Sequence, residues 1–219
     1  MKYRTVFDII GPVMIGPSSS HTAGAARIGR TARALFGRKP KKAIITFYGS
    51  FAKTYRGHGT DVAIVGGLLD FDTFDQRISR SLDIAKEQGL EVTFRTSEEV
   101  LDHPNTARVY LEDDERSMEV VGISIGGGKI EITEWNGFDI KLTGNSPALF
   151  VLHRDRFGAI ASVASVLAKY KINIGFMQVS RKEKGASALM IIETDQKVGE
   201  EIQAEVAQQP DITQVSAIF

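Results

Sequence analysis

The sequence predicts an α+β fold in two parts, a mixed first domain over residues 1–144 and a βαββαβ, ferredoxin-like second domain over residues 148–219. Three observations carry this expectation. Runs with helical spacing interleave with short β-rich runs as far as Leu142. The cluster Thr143-Gly144-Asn145-Ser146-Pro147 is dense in turn formers and interrupts that pattern. Beyond it the order is strand, helix, strand, strand, helix, strand.

Residues 23–36 set Ile28, Ala32 and Leu35 at helical spacing, and residues 37–40 end the pattern, so a first helix is expected there. Ser18, Ser19, Ser20 and Thr22 supply hydroxyls that can cap its start. Residues 43–48 form a β-rich run, residues 61–68 read as a helix of small residues, and residues 75–88 read as a helix with Gly89 as the residue after its end. Strands are expected at 91–95 and 106–111. Residues 118–125, 129–134 and 138–142 read as a meander, with alternation clearest at Ile130, Ile132, Ile140 and Leu142. Gly126-Gly127-Gly128 leads into a strand run, not a helix, and lacks the spacing of a dinucleotide fingerprint or a phosphate loop. It is read as a hairpin turn without chemistry.

In the second domain the strands fall at 148–153, 173–181, 186–194 and 213–219, and the helices at 158–170 and 198–208. Ile160, Val163, Ala164 and Leu167 form the sheet-facing stripe of the first helix, and Ile202 with Val206 that of the second.

Composition bounds the function. With 42% hydrophobic and 25% charged residues, the 219-residue chain reads as a soluble cytoplasmic protein. Lys plus Arg equals Asp plus Glu at 27 each, so no net field favours nucleic acid or an anionic membrane, and neither is expected as a partner. Lys2 and Arg4 precede an apolar run that Asp8, Gly11 and Pro12 interrupt, so no signal peptide is expected. Apolar runs such as 149–152 and 189–192 are far too short to span a bilayer. The chain has no cysteine, which excludes disulfides, cysteine-based zinc sites and thiol nucleophiles.

Chemistry concentrates at Gly16-Pro17-Ser18-Ser19-Ser20-His21-Thr22 and at Gly57-His58-Gly59-Thr60-Asp61. Each is a Gly-rich polar segment placed before a helical run, and the two hold two of the four histidines. Hydroxyls and free backbone N–H groups together favour an anion such as a carboxylate. Histidine adds an acid or base near neutral pH.

These segments, with Gly49-Ser50-Phe51-Ala52 and His103-Pro104-Asn105-Thr106, resemble in order the beta chain of bacterial iron-sulfur-dependent L-serine dehydratase, over essentially the whole chain. Tyr55-Arg56 stands where many relatives carry a Gly-Lys type step. The resemblance implies a lyase that converts L-serine to pyruvate and ammonia with a [4Fe-4S] cluster. It implies proton transfer by His21 or His58, with a base from an alpha subunit as the equal alternative, and substrate binding by Ser18, Ser19, Ser20, Thr22, Thr60, Asp61, His103 and Asn105. Thr60 and Asp61 are also read as orienting His58 or capping the helix. Such clusters are held by cysteine thiolates, so the resemblance places the cluster on a separate cysteine-bearing alpha subunit, with no metal ligand in this chain.

The second domain resembles the ACT domain, a small module that commonly binds amino acids. Asp155-Arg156-Phe157-Gly158 stands at its first strand-to-helix loop, where that family often has Asp-x-Pro-Gly, and Asn173-Ile174 opens its second strand. The resemblance makes Asp155, Gly158 and Asn173 candidate effector-binding residues. The open sheet edges suit self-association. A non-catalytic regulatory protein, with an anion-binding domain and an amino-acid sensor, is the alternative. A serine hydrolase using Ser20 and His21 is a third reading, but neighbouring Ser and His make no triad and no Gly-x-Ser-x-Gly elbow is present.

Overall fold

A computed structural model describes residues 13–218 of the chain. They divide into two compact units, one up to Asn136 and one from Gly137.

In the first unit a π-helical turn, Ser19–Gly24, leads into helix α1, Ala25–Phe36. Winding therefore starts ahead of the expected position 23, because Ser18 and not a later residue caps it. Strand β1 is Lys42–Phe47, followed by α2 (Gly49–Thr54) and α3 (Thr60–Leu68). No helix was expected at α2, a six-residue element with a single buried residue, Phe51. The single helix expected at 75–88 is broken into a 3-10 turn, Gln76–Arg80, and α4, Ser81–Glu87. Asp75 caps the 3-10 turn by accepting the Arg77 N–H, and at the junction the Ser81 hydroxyl donates to Val62 O of α3 at 2.6 Å. Gly89 adopts φ +74° after α4, as its expected role requires.

Strands β2 (Glu91–Thr96), β3 (Thr106–Glu112), β4 (Ser117–Gly126) and β5 (Lys129–Trp135) complete the unit. Their order is β2-β1-β3-β4-β5, with β1 and β2 parallel and the other pairs antiparallel. One face of the sheet is fully buried through Ala43, Ile45, Phe47, Ala107, Val109, Leu111 and Ile132. Alpha-1 covers this face, with Ile28 against Gly122 of β4. Helices α1 and α3 cross at Gly29 and Gly67, where a Cβ on Gly67 would lie 2.0 Å from Ala26 O. Only glycine permits that approach. The crossing matters because α1 emerges from the His21 turn and α3 begins two residues after His58.

The second unit opens with β6 (Phe138–Leu142) and continues with β7 (Ala148–Arg154), α5 (Ala159–Lys169), β8 (Ile174–Arg181), β9 (Ser187–Thr194), α6 (Glu200–Ala207) and β10 (Ile212–Ile218). Beta-7 to β10 form an antiparallel sheet in the order β10-β7-β9-β8, the ferredoxin-like βαββαβ arrangement the pattern predicts. Leu149, Val151, Met190 and Ile192 of the sheet meet Val163, Val166 and Leu167 of α5 and Val206 of α6. Ile160, expected in that stripe, is 48% exposed in the first turn of α5, and Val166 is buried in the stripe instead. The expected strand end at Phe219 lies outside the described residues.

Candidate active site

The π-turn is the centre of the site. Ser18 enters it extended (φ −140°, ψ 125°), and its Oγ accepts the His21 N–H at 3.1 Å. Such turns are rare and cluster at functional positions. From this turn His21 places Nε2 3.0 Å from Ser50 Oγ and Nδ1 3.3 Å from Ser18 Oγ. Its ring meets Phe51 edge-on at 5.2 Å and His58 at 4.8 Å, with the two imidazoles almost perpendicular at 85°. Burial first, and the neighbouring His58 second, hold the His21 imidazole below the ordinary histidine value of 6.5. His21 is therefore set up as a neutral ring near pH 7.

His58 is tied through its backbone. Its N–H donates to Thr54 O at 3.0 Å, and its carbonyl accepts the Thr22 hydroxyl at 3.3 Å. Thr60 is fully buried in the first turn of α3. The Asp61 carboxylate accepts the Val62 N–H, and burial pushes its pKa up. Among the described residues no hydrogen bond joins Thr60 or Asp61 to the His58 ring; the N-cap of α3 is Gly59, and Asp61 takes an N–H of the first turn. Tyr55 packs against Phe47 at 5.1 Å and Phe94 at 6.1 Å, forming an aromatic wall.

The His103 segment joins from the other side. Pro104 O accepts the Ser50 N–H at 2.7 Å, and Gly49 takes φ +52° where a Cβ would lie 2.6 Å from that same oxygen. His103 Nδ1 accepts the Asn105 N–H at 3.2 Å, and its carbonyl accepts the Thr106 hydroxyl at 2.6 Å. His103, Pro104, Gly49, Ala52 and Lys53 line a cavity of about 620 Å³ together with residues 96–101.

Four buried polar atoms of this region lack a hydrogen-bond partner among the described residues: His58 Nδ1, Thr60 Oγ1, Asn105 Oδ1 and Ser124 Oγ. Ser124 faces the π-turn so closely that a Cβ on Gly24 would lie 2.1 Å from its hydroxyl, and its N–H donates to Asn105 O. Buried polar groups are almost always paired, so a group of orphans around two histidines marks a place where a polar ligand or ordered water belongs. Ser19 and Ser20, half-buried in the turn, also have no side-chain hydrogen bond among the described residues.

The serine dehydratase beta chain family matches residues 5–135, and the ACT domain family matches residues 148–211. The chain belongs to the serine dehydratase beta chain family. It is 62% identical over 218 residues to the probable L-serine dehydratase beta chain of Bacillus subtilis (strain 168), covering 100% of this chain and 99% of that one. Identity to the L-serine dehydratase beta chain of Peptoniphilus asaccharolyticus is 33% over 208 residues, 94% of each chain. A D-3-phosphoglycerate dehydrogenase of Bacillus subtilis (strain 168) shares 32% identity over 135 residues, which is 62% of this chain and 26% of that protein.

The family's match spans every candidate residue of the first unit. Ser18, His21, Thr22 and His58 come together directly, and His103 and Asn105 join them through Pro104 and Ser50. An iron-sulfur cluster does not fit the donors of this chain: it has no cysteine, and no group of three or more His, Asp or Glu among the described residues could hold a metal ion. No helix among the described residues is long and apolar enough to cross a membrane.

The three effector candidates of the ACT domain do not converge. Asp155 accepts the Arg181 guanidinium at 3.1 Å and the Gly185 N–H at 2.9 Å, and these partners, the N–H first, hold its pKa low. Gly158 starts α5 at φ +89°. Asn173 lies past the other end of that helix, an element of 11 residues and so about 16 Å long, and binds Asp195 and Gln196. Sequence reasoning missed Ser50 and Ser124 as members of the first site. Ser50 was visible as a polar residue after a strand-ending glycine; Ser124, inside a strand run, gave no signal.

Proposed function

We propose that this chain is the beta subunit of an L-serine dehydratase, a lyase that turns L-serine into pyruvate and ammonia. The observation that supports it best is the set of buried, unpartnered polar atoms beside two histidines 4.8 Å apart, in a chain of this family. Residues 1–144 form the substrate domain on this reading, and residues 148–219 the ACT domain. Elimination takes the Cα proton and the β-hydroxyl of L-serine as water, and hydrolysis of the resulting imine releases ammonia. This chain binds the substrate and moves the proton. The hydroxyls of Ser18, Ser19, Ser20, Thr22 and Thr60, with the Asn105 amide, hold its carboxylate and ammonium groups. His21 or His58 takes or returns a proton, and the half-buried His21 imidazole, held below its ordinary value, is suited to that role. His103 and Asp61 contribute at the margin of the site.

The [4Fe-4S] cluster belongs to a cysteine-bearing alpha subunit in this reading, and the two chains work together in the cytoplasm. Anaerobic co-expression of both chains, followed by a pyruvate assay with L-serine, tests it. The beta chain alone is expected to be colourless, iron-free and inactive. An iron-containing preparation of this chain by itself, or an inactive pair with an intact cluster, would overturn the reading.

The edge strands β8 and β10, each paired on one side only in this sheet, support self-association through the ACT domain, with Phe176 and Val179 of β8 each 39% exposed. A fragment from Ser146 onward should sediment as a dimer at micromolar concentration; a monomer would exclude these edges.

A second reading, a non-catalytic regulatory module, draws on the D-3-phosphoglycerate dehydrogenase match, since there a similar segment forms 26% of a protein named for a different reaction. In that case adding an alpha subunit would give no turnover of L-serine.

A further inference from the structure

The contacts of His21 contain a counting problem. Two ring nitrogens meet two serine oxygens, Ser50 at 3.0 Å and Ser18 at 3.3 Å. A neutral ring and two hydroxyls carry three hydrogens for these two contacts. One serine hydrogen is left over, and the tautomer decides which serine keeps it. With the ring proton on Nε2, the ring gives it to Ser50 Oγ and the Ser18 hydroxyl donates to Nδ1, so that Ser18, which also accepts the His21 N–H, both donates and accepts. The Ser50 hydrogen then has no acceptor among the described residues. Its backbone is held while this happens: the N–H donates to Pro104 O at 2.7 Å, and the carbonyl accepts the Thr54 hydroxyl at 2.8 Å.

We propose that Ser50 is a substrate-contact residue, its oxygen taken by the Nε2–H of His21 and its hydrogen aimed at a carboxylate oxygen of the bound small acid. A carboxylate is the acceptor that makes this a charge-assisted bond, and Ser19 and Ser20 of the π-turn also lack side-chain hydrogen bonds among the described residues. The proposal rests on the reading of the first unit as a site for L-serine.

Two measurements test it. In the reconstituted two-chain enzyme, Ser50→Ala should lower kcat/KM for L-serine about tenfold or more, mostly through KM, as for a lost hydrogen bond to a charged group, and Ser50→Thr should restore it. In the full chain alone, with nitrogen-labelled histidine and the His21 signals identified by their loss in His21→Gln, Nε2 should be the protonated nitrogen. Added L-serine should shift that signal in the wild type but not in Ser50→Ala. An unchanged KM in Ser50→Ala, or a ring protonated at Nδ1, would overturn the assignment. If the two-chain enzyme fails to make pyruvate, the functional reading falls, while the ring signal still judges the Ser50 geometry. If Ser50→Ala does not fold, the wild-type ring signal and its response to L-serine decide.

Discussion

Replacing Gly67 by Ala should damage both fold and site, and the structure sets the scale. The new Cβ would lie 2.0 Å from Ala26 O and 2.6 Å from Arg30 N, both main-chain atoms of α1, where ordinary contact starts at 3.4 Å. No side chain can swing aside, so α1 and α3 must part by more than an ångström. Overpacking of this kind costs about 1–3 kcal/mol, and more where backbone has to move. Better helix propensity returns about 1 kcal/mol. Lost contact along the parted helices adds to the penalty, and a net cost of about 3 kcal/mol lowers Tm by about 6–12 °C for a chain of this length. Gly66→Ala is the control, because its Cβ would meet a side-chain atom, Ile78 Cγ1, at 3.0 Å. There the propensity gain offsets most of the strain, and the change should stay within about 1 kcal/mol. Calorimetry on both variants and a pyruvate assay well below Tm read the result. Because the same crossing positions His21 against His58, Gly67→Ala should lose activity at temperatures where it is still folded. Equal melting temperatures for the two variants would refute the reasoning.

His21→Ala or His58→Ala should each lower kcat of the reconstituted enzyme about a hundredfold or more, whereas Asp155→Ala should leave the chemical step intact; the reverse pattern in a steady-state assay would move the site to the second unit. The His21 imidazole is held below 6.5 by burial and by His58, so the unfolded chain takes a proton that the folded chain refuses. Its contribution to stability is complete above pH 6.5 and is lost as pH falls below it, and urea midpoints of His21→Gln should fall less between pH 7 and 5 than those of the wild type. Burial raises the Asp61 pKa, so the stability this group contributes is present below 3.8 and is lost as pH rises through the raised value. Asp61→Asn keeps an oxygen for the Val62 N–H and should raise the urea midpoint at pH 7; a lower midpoint would show that the charge itself is needed by the fold.

What the sequence made legible was local. Helical spacing and Gly37 located α1, Gly89 marked the end of α4, and the strand and helix order of the second unit identified its arrangement, because each depends on residues within a few positions of one another. The π-turn, the break at Ser81 and the roles of Ser50 and Ser124 depend on partners far along the chain. Ser81, where the 3-10 turn passes into α4, binds Val62, 19 residues earlier, and Ser50 reaches back 29 residues to His21. No periodicity encodes such pairs. The site was legible as two histidine segments without an indication that their rings touch. The close α1–α3 crossing brings them together, and its signal was the small residues of 61–68, read as a property of one helix. Pairing that stretch with Gly29 would have required knowing that the helices cross there. A histidine brought against another histidine by a glycine contact between helices cannot be moved without disturbing the packing. Substitutions at Gly29 and Gly67 should therefore act on turnover through the His21–His58 spacing, although neither residue touches a substrate.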